Sequence, residues 1–351
     1  MKDNSPISET LDFKIGQMLM IGFEGTEVRA GTPSGDSVID AITNLHVGGV
    51  ILFDNENPST GNIQSSAQLK ALTASLQSLS PVPLLIAIDQ EGGNVARLGP
   101  RNGFPATPSQ KYLGDLNDPA LTRSYAKTTA ATLRDHGVNL NFAPVVDLNV
   151  NPANPILGAL DRCYSSDPEV VADQARAVVE AHLEHHVLCS LKHFPGHGSS
   201  HHDSHLGFVD VSDTWSPVEL QPYRRFVEWG IPHLIMTAHI FNSHLDPELP
   251  ATLSHKILTS LLRDDVGFDG VVITDDVLMR AISSYYSFDD TLELTMKAGV
   301  DIILICNNLI CGPDTIARAI SIIRAMVERG DISAERIDQS YQRIKRLKAL
   351  I

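Results

Sequence analysis

Cysteine is scarce in this chain, and the little there is forms no pattern. Four residues in 351, Cys163, Cys189, Cys306 and Cys311, include no C-x-x-C pair, which argues against a zinc ribbon or a disulfide scaffold. Cys189 and Cys306 sit in apolar runs that read as buried strands, so free thiols in a reducing compartment are expected. Basic clusters are missing too. With 27 Lys and Arg against 42 Asp and Glu the net charge is −15, and without a Lys/Arg block neither nucleic acid nor an anionic membrane surface is an expected partner. No apolar stretch approaches the ~20 residues of a membrane span, and the opening M-K-D-N-S-P-I-S-E-T has no signal-peptide core. The expectation is a cytoplasmic protein, taken as a monomer. Neither G-x-G-x-x-G after the first strand nor H-E-x-x-H occurs, which counts against a dinucleotide fold and a helix-borne zinc site.

What is present is alternation. Short apolar runs rich in Val, Ile and Leu recur at Met18–Gly22, Val47–Phe53, Leu84–Asp89, Leu140–Asp147, Val187–Phe194, Leu234–Ile240, Gly270–Asp275 and Asp301–Cys306. Helical segments separate them. Asp118-Pro119 and Asp167-Pro168 each place an N-cap acid before a first-turn proline, and Val171, Ala175, Val178 and Val179 follow at helical spacing. Gly137, Gly230 and Gly299 stand where helices would stop. Eight strand–helix units in order imply a parallel sheet closed into a (β/α)8 TIM-type barrel; a doubly wound open sheet is the runner-up. With no linker or repeat in view, residues 1–351 read as one domain, with a terminal helix over about 334–350 packed outside the barrel.

A barrel of this kind gathers its chemistry at the C-terminal ends of its strands. Polar residues recur there: Asp89 before Q-E-G-G, Asp147, Lys192-His193, His239, Asp275-Asp276 and Asn307-Asn308. The densest stretch is K-H-F-P-G-H-G-S-S-H-H-D-S-H-L-G from Lys192 to Gly207, which holds five of the fourteen histidines. A core has no use for so many imidazoles, because burying them without partners is costly. Gly196, Gly198, Ser199, Ser200 and Gly207 suggest a loop free to swing over a substrate.

Asp275, emerging from Val271-Val272-Ile273-Thr274, could be a nucleophile, a metal ligand or a helix cap; Asp276, one step nearer the helix, suits the cap better. Strand parity points the two acids to opposite sides. Asp203-x-His205 pairs a carboxylate with an imidazole, a combination that fixes the ring and lets it exchange protons near neutral pH. Lys192 and Arg162 supply cationic donors for hydroxyls or carbonyls. Together these fit a glycosidase, with Asp275 on one face of a sugar and His205 on the other. The same loop read as a metal site would use His197, His201, His202 and His205 with Asp203. Asn149, Asn151 and Asn154 read as turn formers. His239 reads as a lining residue, and Asp147 as either a ligand contact or a hydrogen-bonding group of the barrel mouth.

K-H-F-P-G-H-G followed by D-S-H resembles the signature of bacterial β-N-acetylhexosaminidases of glycoside hydrolase family 3. The likeness extends through I-G-Q-M-L-M-I-G-F, G-G-V-I-L-F, D-Q-E-G-G, N-F-A-P-V-V-D, I-M-T-A-H-I and G-V-V-I-T-D-D. The resemblance implies a retaining exo-β-N-acetylglucosaminidase of the single-domain, peptidoglycan-recycling type, acting on muropeptides or chitooligosaccharides. It makes Asp275 the nucleophile, His205 the proton donor and later base, and Asp203 its partner. It carries sugar binding onto Asp89, Arg97, Arg162, Lys192 and His193, and it implies a small carbohydrate substrate with no metal or cofactor. Phosphorolysis in the same pocket and metal-dependent hydrolysis are the alternatives. Asn94 stands where arginine is usual, G-A-L-D-R-C-Y-S is longer than the common G-x-R-S-F-G, and Phe208-Val209 replace a frequent Leu-Pro.

Overall fold

The computed structural model describes residues 9–54, 61–306 and 314–351. Eight parallel strands follow one another round one sheet: β1 (Leu19–Ile21), β2 (Gly49–Leu52), β3 (Leu85–Ile88), β4 (Leu140–Asn141), β5 (Leu188–Phe194), β6 (Leu234–Thr237), β7 (Val271–Ile273) and β8 (Ile303–Ile305). β8 pairs with β1 from Leu19–Ile303 to Ile21–Ile305. An Ile273–Ile302 bridge, with the Thr274 amide donating to the Ile302 carbonyl at 3.0 Å, joins β7 to β8 and closes the circle. Closure leaves no exposed edge, and helices cover the outside, so every strand residue is buried and the strands read as continuous apolar runs. This is the expected (β/α)8 barrel.

At least one helix follows each strand, from Pro33–Thr43 after β1 to Thr315–Arg329 after β8. The two marked starts behave as their residues dictate. Asp118 accepts from the amides of Ala120 and Leu121 at 3.0 and 3.1 Å, and Asp167 accepts from Glu169 at 2.9 Å. The fourth strand is shorter than expected, Leu140–Asn141 instead of Leu140–Asp147, because Pro144 has no N–H to offer a ladder. The Gln110 side chain substitutes for a neighbouring strand there, accepting from Val145 N–H at 3.0 Å and donating to its carbonyl at 2.8 Å.

The last helix, Ala334–Lys348, buries Ile337, Tyr341, Ile344 and Leu347 against the barrel. At its end the buried Lys348 ammonium donates to the Gly48 carbonyl and to Gln17, both at 2.8 Å. Among the described residues no helix is long and apolar enough to cross a membrane. Cys163 and Cys189 are buried free thiols, whereas Cys306 lies just past β8, half-buried, instead of inside a strand. Cys311, Asn307-Asn308 and the first eight residues lie outside the described residues.

Candidate active site

At the C-terminal ends of the strands a cavity of about 330 Å³ opens, and every residue to which the family resemblance gave a catalytic or sugar-binding role, except Asp203, lines it. Asp203 stands one shell back. Its carboxylate accepts from the His205 backbone N–H at 2.8 Å and from His205 Nδ1 at 2.7 Å. That fixes Nδ1 as the donor to Asp203 and leaves Nε2 as the nitrogen free to exchange a proton. The His205 side chain is 58% exposed, so it stands at the mouth of the cavity.

On the β7 side both adjacent acids border the cavity, against the expectation from strand parity, and it is their partners that divide them. Asp275 lines the cavity and accepts the Asp276 N–H at 2.8 Å. Burial pushes its pKa up, but the nearby rings of His239 and His193 and the Asp276 amide outweigh that and hold it below its ordinary value. Asp276 turns one oxygen to the amides of Leu278 and Cys306, at 3.1 and 3.0 Å, as a cap. Burial raises its pKa to about 6. His239 is a satisfied histidine that does not line the cavity: Nε2 donates to the Asp276 carbonyl at 2.8 Å, and Nδ1 lies 2.8 Å from the Thr252 hydroxyl.

The opposite wall is an ion network. Lys192 Nζ donates to Asp89 at 2.8 Å and lies 2.7 Å from Glu91. Arg162 clasps Glu91 with two bonds of 2.8 Å and donates to the Ile156 carbonyl at 2.7 Å, while Arg97 reaches Asp89 at 3.4 Å. Burial raises the pKa of Asp89, yet Lys192 and Arg97 more than compensate, and Glu91 is held low in the same way by Arg162 and Lys192. Both carboxylates are therefore ionised at neutral pH and accept only. Glu91 was missed in the site assignment. Its spacing of two from Asp89 and its place in D-Q-E-G-G would have put it on the same side of an extended segment.

His193 is held by Asp147, whose carboxylate accepts from its Nδ1 at 2.6 Å and from its backbone N–H at 3.2 Å. Asp147 also accepts from the His197 amide at 2.7 Å, so it serves the histidine loop and not a ligand. That loop differs from expectation. Residues 195–200 are buried, and two of the glycines belong to close packing instead of swing. A Cβ on Gly198 would fall 1.8 Å from the Leu148 carbonyl oxygen, and Gly196 takes a φ of +120° against Glu219. Asn154, read as a turn former, is a buried clamp that donates to the His197 carbonyl at 2.9 Å and to Ser200 Oγ at 3.0 Å. Asn151 ties the Ser200 carbonyl at 2.8 Å. Glu219, missed from sequence, accepts the Gly198 N–H at 3.1 Å. Only the outer part, from His201 onward, reaches solvent. Among the described residues no three His, Cys, Asp or Glu side chains converge to hold a metal ion.

Such a cavity joins a low-pKa carboxylate, a mouth imidazole fixed through one nitrogen, and a charged wall suited to a polyhydroxylated ligand. The glycosyl hydrolase family 3 N terminal domain matches residues 10–347. A Beta-hexosaminidase A from Pseudoalteromonas piscicida is 34% identical over 95% of this chain and 60% of its own length. The structure of a glycoside hydrolase family 3 beta-N-acetylglucosaminidase from Paenibacillus sp. str. FPU-7 is similar over 98% of this chain and 63% of that one, with TM-score 0.88 and 38% identity. A beta-N-acetylhexosaminidase from Beutenbergia cavernae is covered in full, with TM-score 0.86 and 32% identity over 99% of this chain. The chain thus spans just under two thirds of the first two relatives and the whole of the third.

Proposed function

The chain belongs to glycosyl hydrolase family 3, and from that premise we propose that it is a β-N-acetylhexosaminidase releasing terminal β-linked N-acetylglucosamine with retention. The observation that carries this reading is the joint presence of Asp275 and the Asp203-held His205 on one cavity.

Asp275, ionised at neutral pH, attacks the anomeric carbon while His205 Nε2 gives its proton to the leaving oxygen. The aglycone departs, leaving a glycosyl ester on Asp275. Neutral His205 then takes a proton from water, which attacks the same carbon, frees the carboxylate and returns the sugar in its original anomeric form. Asp203 keeps the ring in one tautomer and stabilises the imidazolium. Asp89 accepts hydrogen bonds from sugar hydroxyls, and Lys192, Arg97, Arg162 and His193 line the remainder of the sugar site. Muropeptides and chitooligosaccharides both present the required terminal sugar.

The test is kinetic. His205→Ala costs about 10²–10⁴-fold in turnover of a poorly activated β-N-acetylglucosaminide, the usual worth of a general acid–base. The loss is smaller when the leaving group needs no proton. Asp275→Ala abolishes turnover on both kinds of substrate. Full activity of either variant refutes the assignment. Product released first as the α-anomer refutes retention.

A further inference from the structure

Eight large apolar side chains are exposed among the described residues; of these, Leu206 at 73% and Phe208 at 45% follow His205 in the chain, and Tyr285 at 60% meets Phe208. The Phe208 ring stands 5.7 Å from Tyr285 and 5.4 Å from Phe241. Backbone bonds set this group in place. The Phe241 amide donates to the Val209 carbonyl at 2.8 Å, and Val211 donates to the Phe241 carbonyl at 2.9 Å. The segment after His205 is thereby fastened to the one leaving β6. Tyr285 follows the short helix Arg280–Ser283, whose N-cap Met279 lines the cavity. The cluster therefore begins one residue beyond His205 and lies along the rim between the segments leaving β5, β6 and β7.

Exposed aromatic rings in contact with each other, in a chain only 6% aromatic, mark a surface built to be covered. Their position says what covers it. His205 protonates the leaving oxygen, so the surface next to it meets whatever that oxygen carries. A pyranose ring offers an apolar face of C–H groups with hydroxyls round its edge, and such a face stacks on an aromatic ring while the hydroxyls stay in water.

We propose that Leu206, Phe208 and Tyr285 form a platform for a hexopyranose on the leaving-group side of the scissile bond, so that the preferred substrates are β-linked oligosaccharides. This rests on the N-acetylglucosaminidase reading above. The experiment compares N,N′-diacetylchitobiose, whose leaving group is a sugar, with β-N-acetylglucosaminyl fluoride, whose leaving group has no ring. In Phe208→Ala and Tyr285→Ala the ratio of kcat/KM on chitobiose to kcat/KM on the fluoride falls roughly fivefold to tenfold, the worth of one lost stacking contact. Tyr285→Phe keeps the ring and restores the wild-type ratio. An unchanged ratio in both alanine variants overturns the platform, whatever happens to the separate rates, because rings that merely brace the loop affect both substrates alike. Wild-type protein that turns over the fluoride but not chitobiose also overturns it. Wild-type protein inert towards both overturns the underlying glycosidase reading instead.

Discussion

Asp275 and Asp276 are the same residue type on adjacent positions with opposite pKa shifts. Asp275 is drawn down by histidines, and Asp276 is pushed up to about 6 by burial. Their neighbours separate them further. Asp276 gives its outer oxygen to two backbone amides, a task an asparagine oxygen performs equally well. Asp276→Asn is therefore expected to keep at least about a tenth of wild-type kcat, whereas Asp275→Asn, which removes the proposed nucleophile, is expected to lose roughly 10³-fold or more. Steady-state kinetics on one substrate with both variants decides it, and equal losses would contradict the division of roles. Strand parity expects the two acids to point to opposite sides, yet both border the cavity. Which of them is left free for a ligand was not legible, because that depends on the Leu278 and Cys306 amides, which occupy Asp276 and come from segments that parity does not describe. Glu91 escaped for another reason: a buried acid clasped by arginine looks, in sequence, like any glutamate beside a glycine pair.

Among elements, the histidine loop shows where sequence and structure part. Glycine and serine along a loop suggest motion when nothing is known of the neighbours. Here the neighbours decide, since Gly198 has the Leu148 carbonyl where a side chain would go. Gly198→Ala is expected to lower Tm by several degrees and to reduce activity with it, because a Cβ there has to displace backbone; thermal melts and turnover on the same preparation check both. Glu219 adds a dependence on pH. Burial, helped by the charge of Asp147, raises its pKa to about 8, with His197 and Tyr223 also against the same buried group of side chains. An ordinary glutamate ionises near 4.5, so between about pH 4.5 and 8 the folded chain holds a proton that the unfolded chain has released. Folding then takes up a proton, and this group's contribution to stability declines as pH rises through that window. Glu219→Gln keeps an oxygen for the Gly198 amide and cannot ionise. Its Tm relative to wild type should therefore climb between pH 5 and 8, and a flat difference would show that Glu219 is charged throughout. The strands themselves were read correctly because both faces are covered, which turns each into an unbroken Val, Ile and Leu run. The exception, β4, ends early at a proline whose effect depends on Gln110, a residue thirty places away in a helix.

At the scale of the molecule the barrel has two ends with different work. One end gathers the acids, histidines and exposed rings; the other is where the terminal helix is pinned. Eight strands alternating with helices and the polar end were visible in the sequence because periodicity and strand termini are local properties. The pin was not, because it depends on contacts between distant parts of the chain: Lys348 meets Gly48 and Gln17, 300 and 331 residues away, and Asp301 accepts from Arg263 at 2.6 Å and Ser340 at 2.5 Å, 38 and 39 residues away. Among the described residues no carboxylate pairs with Lys348, and burial lowers its pKa to about 7 from 10.5. Between those values the unfolded chain carries a proton on this lysine that the folded chain does not. Folding there releases a proton, so the contribution of Lys348 to stability rises with pH from about 7 to about 10.5. Lys348→Met abolishes that slope. It also leaves the buried Gln17 Oε1 without its donor, while the Gly48 carbonyl keeps the Leu85 amide at 3.1 Å, and the lost bond costs about 1–3 kcal/mol. Since the site lies at the other end of every strand, kcat and KM of the folded variant should match wild type even as its Tm drops. Melts across pH 6–10 run beside steady-state kinetics separate the two ends. A variant that loses kcat in step with stability would mean that the terminal helix shapes the catalytic cavity as well as closing the floor.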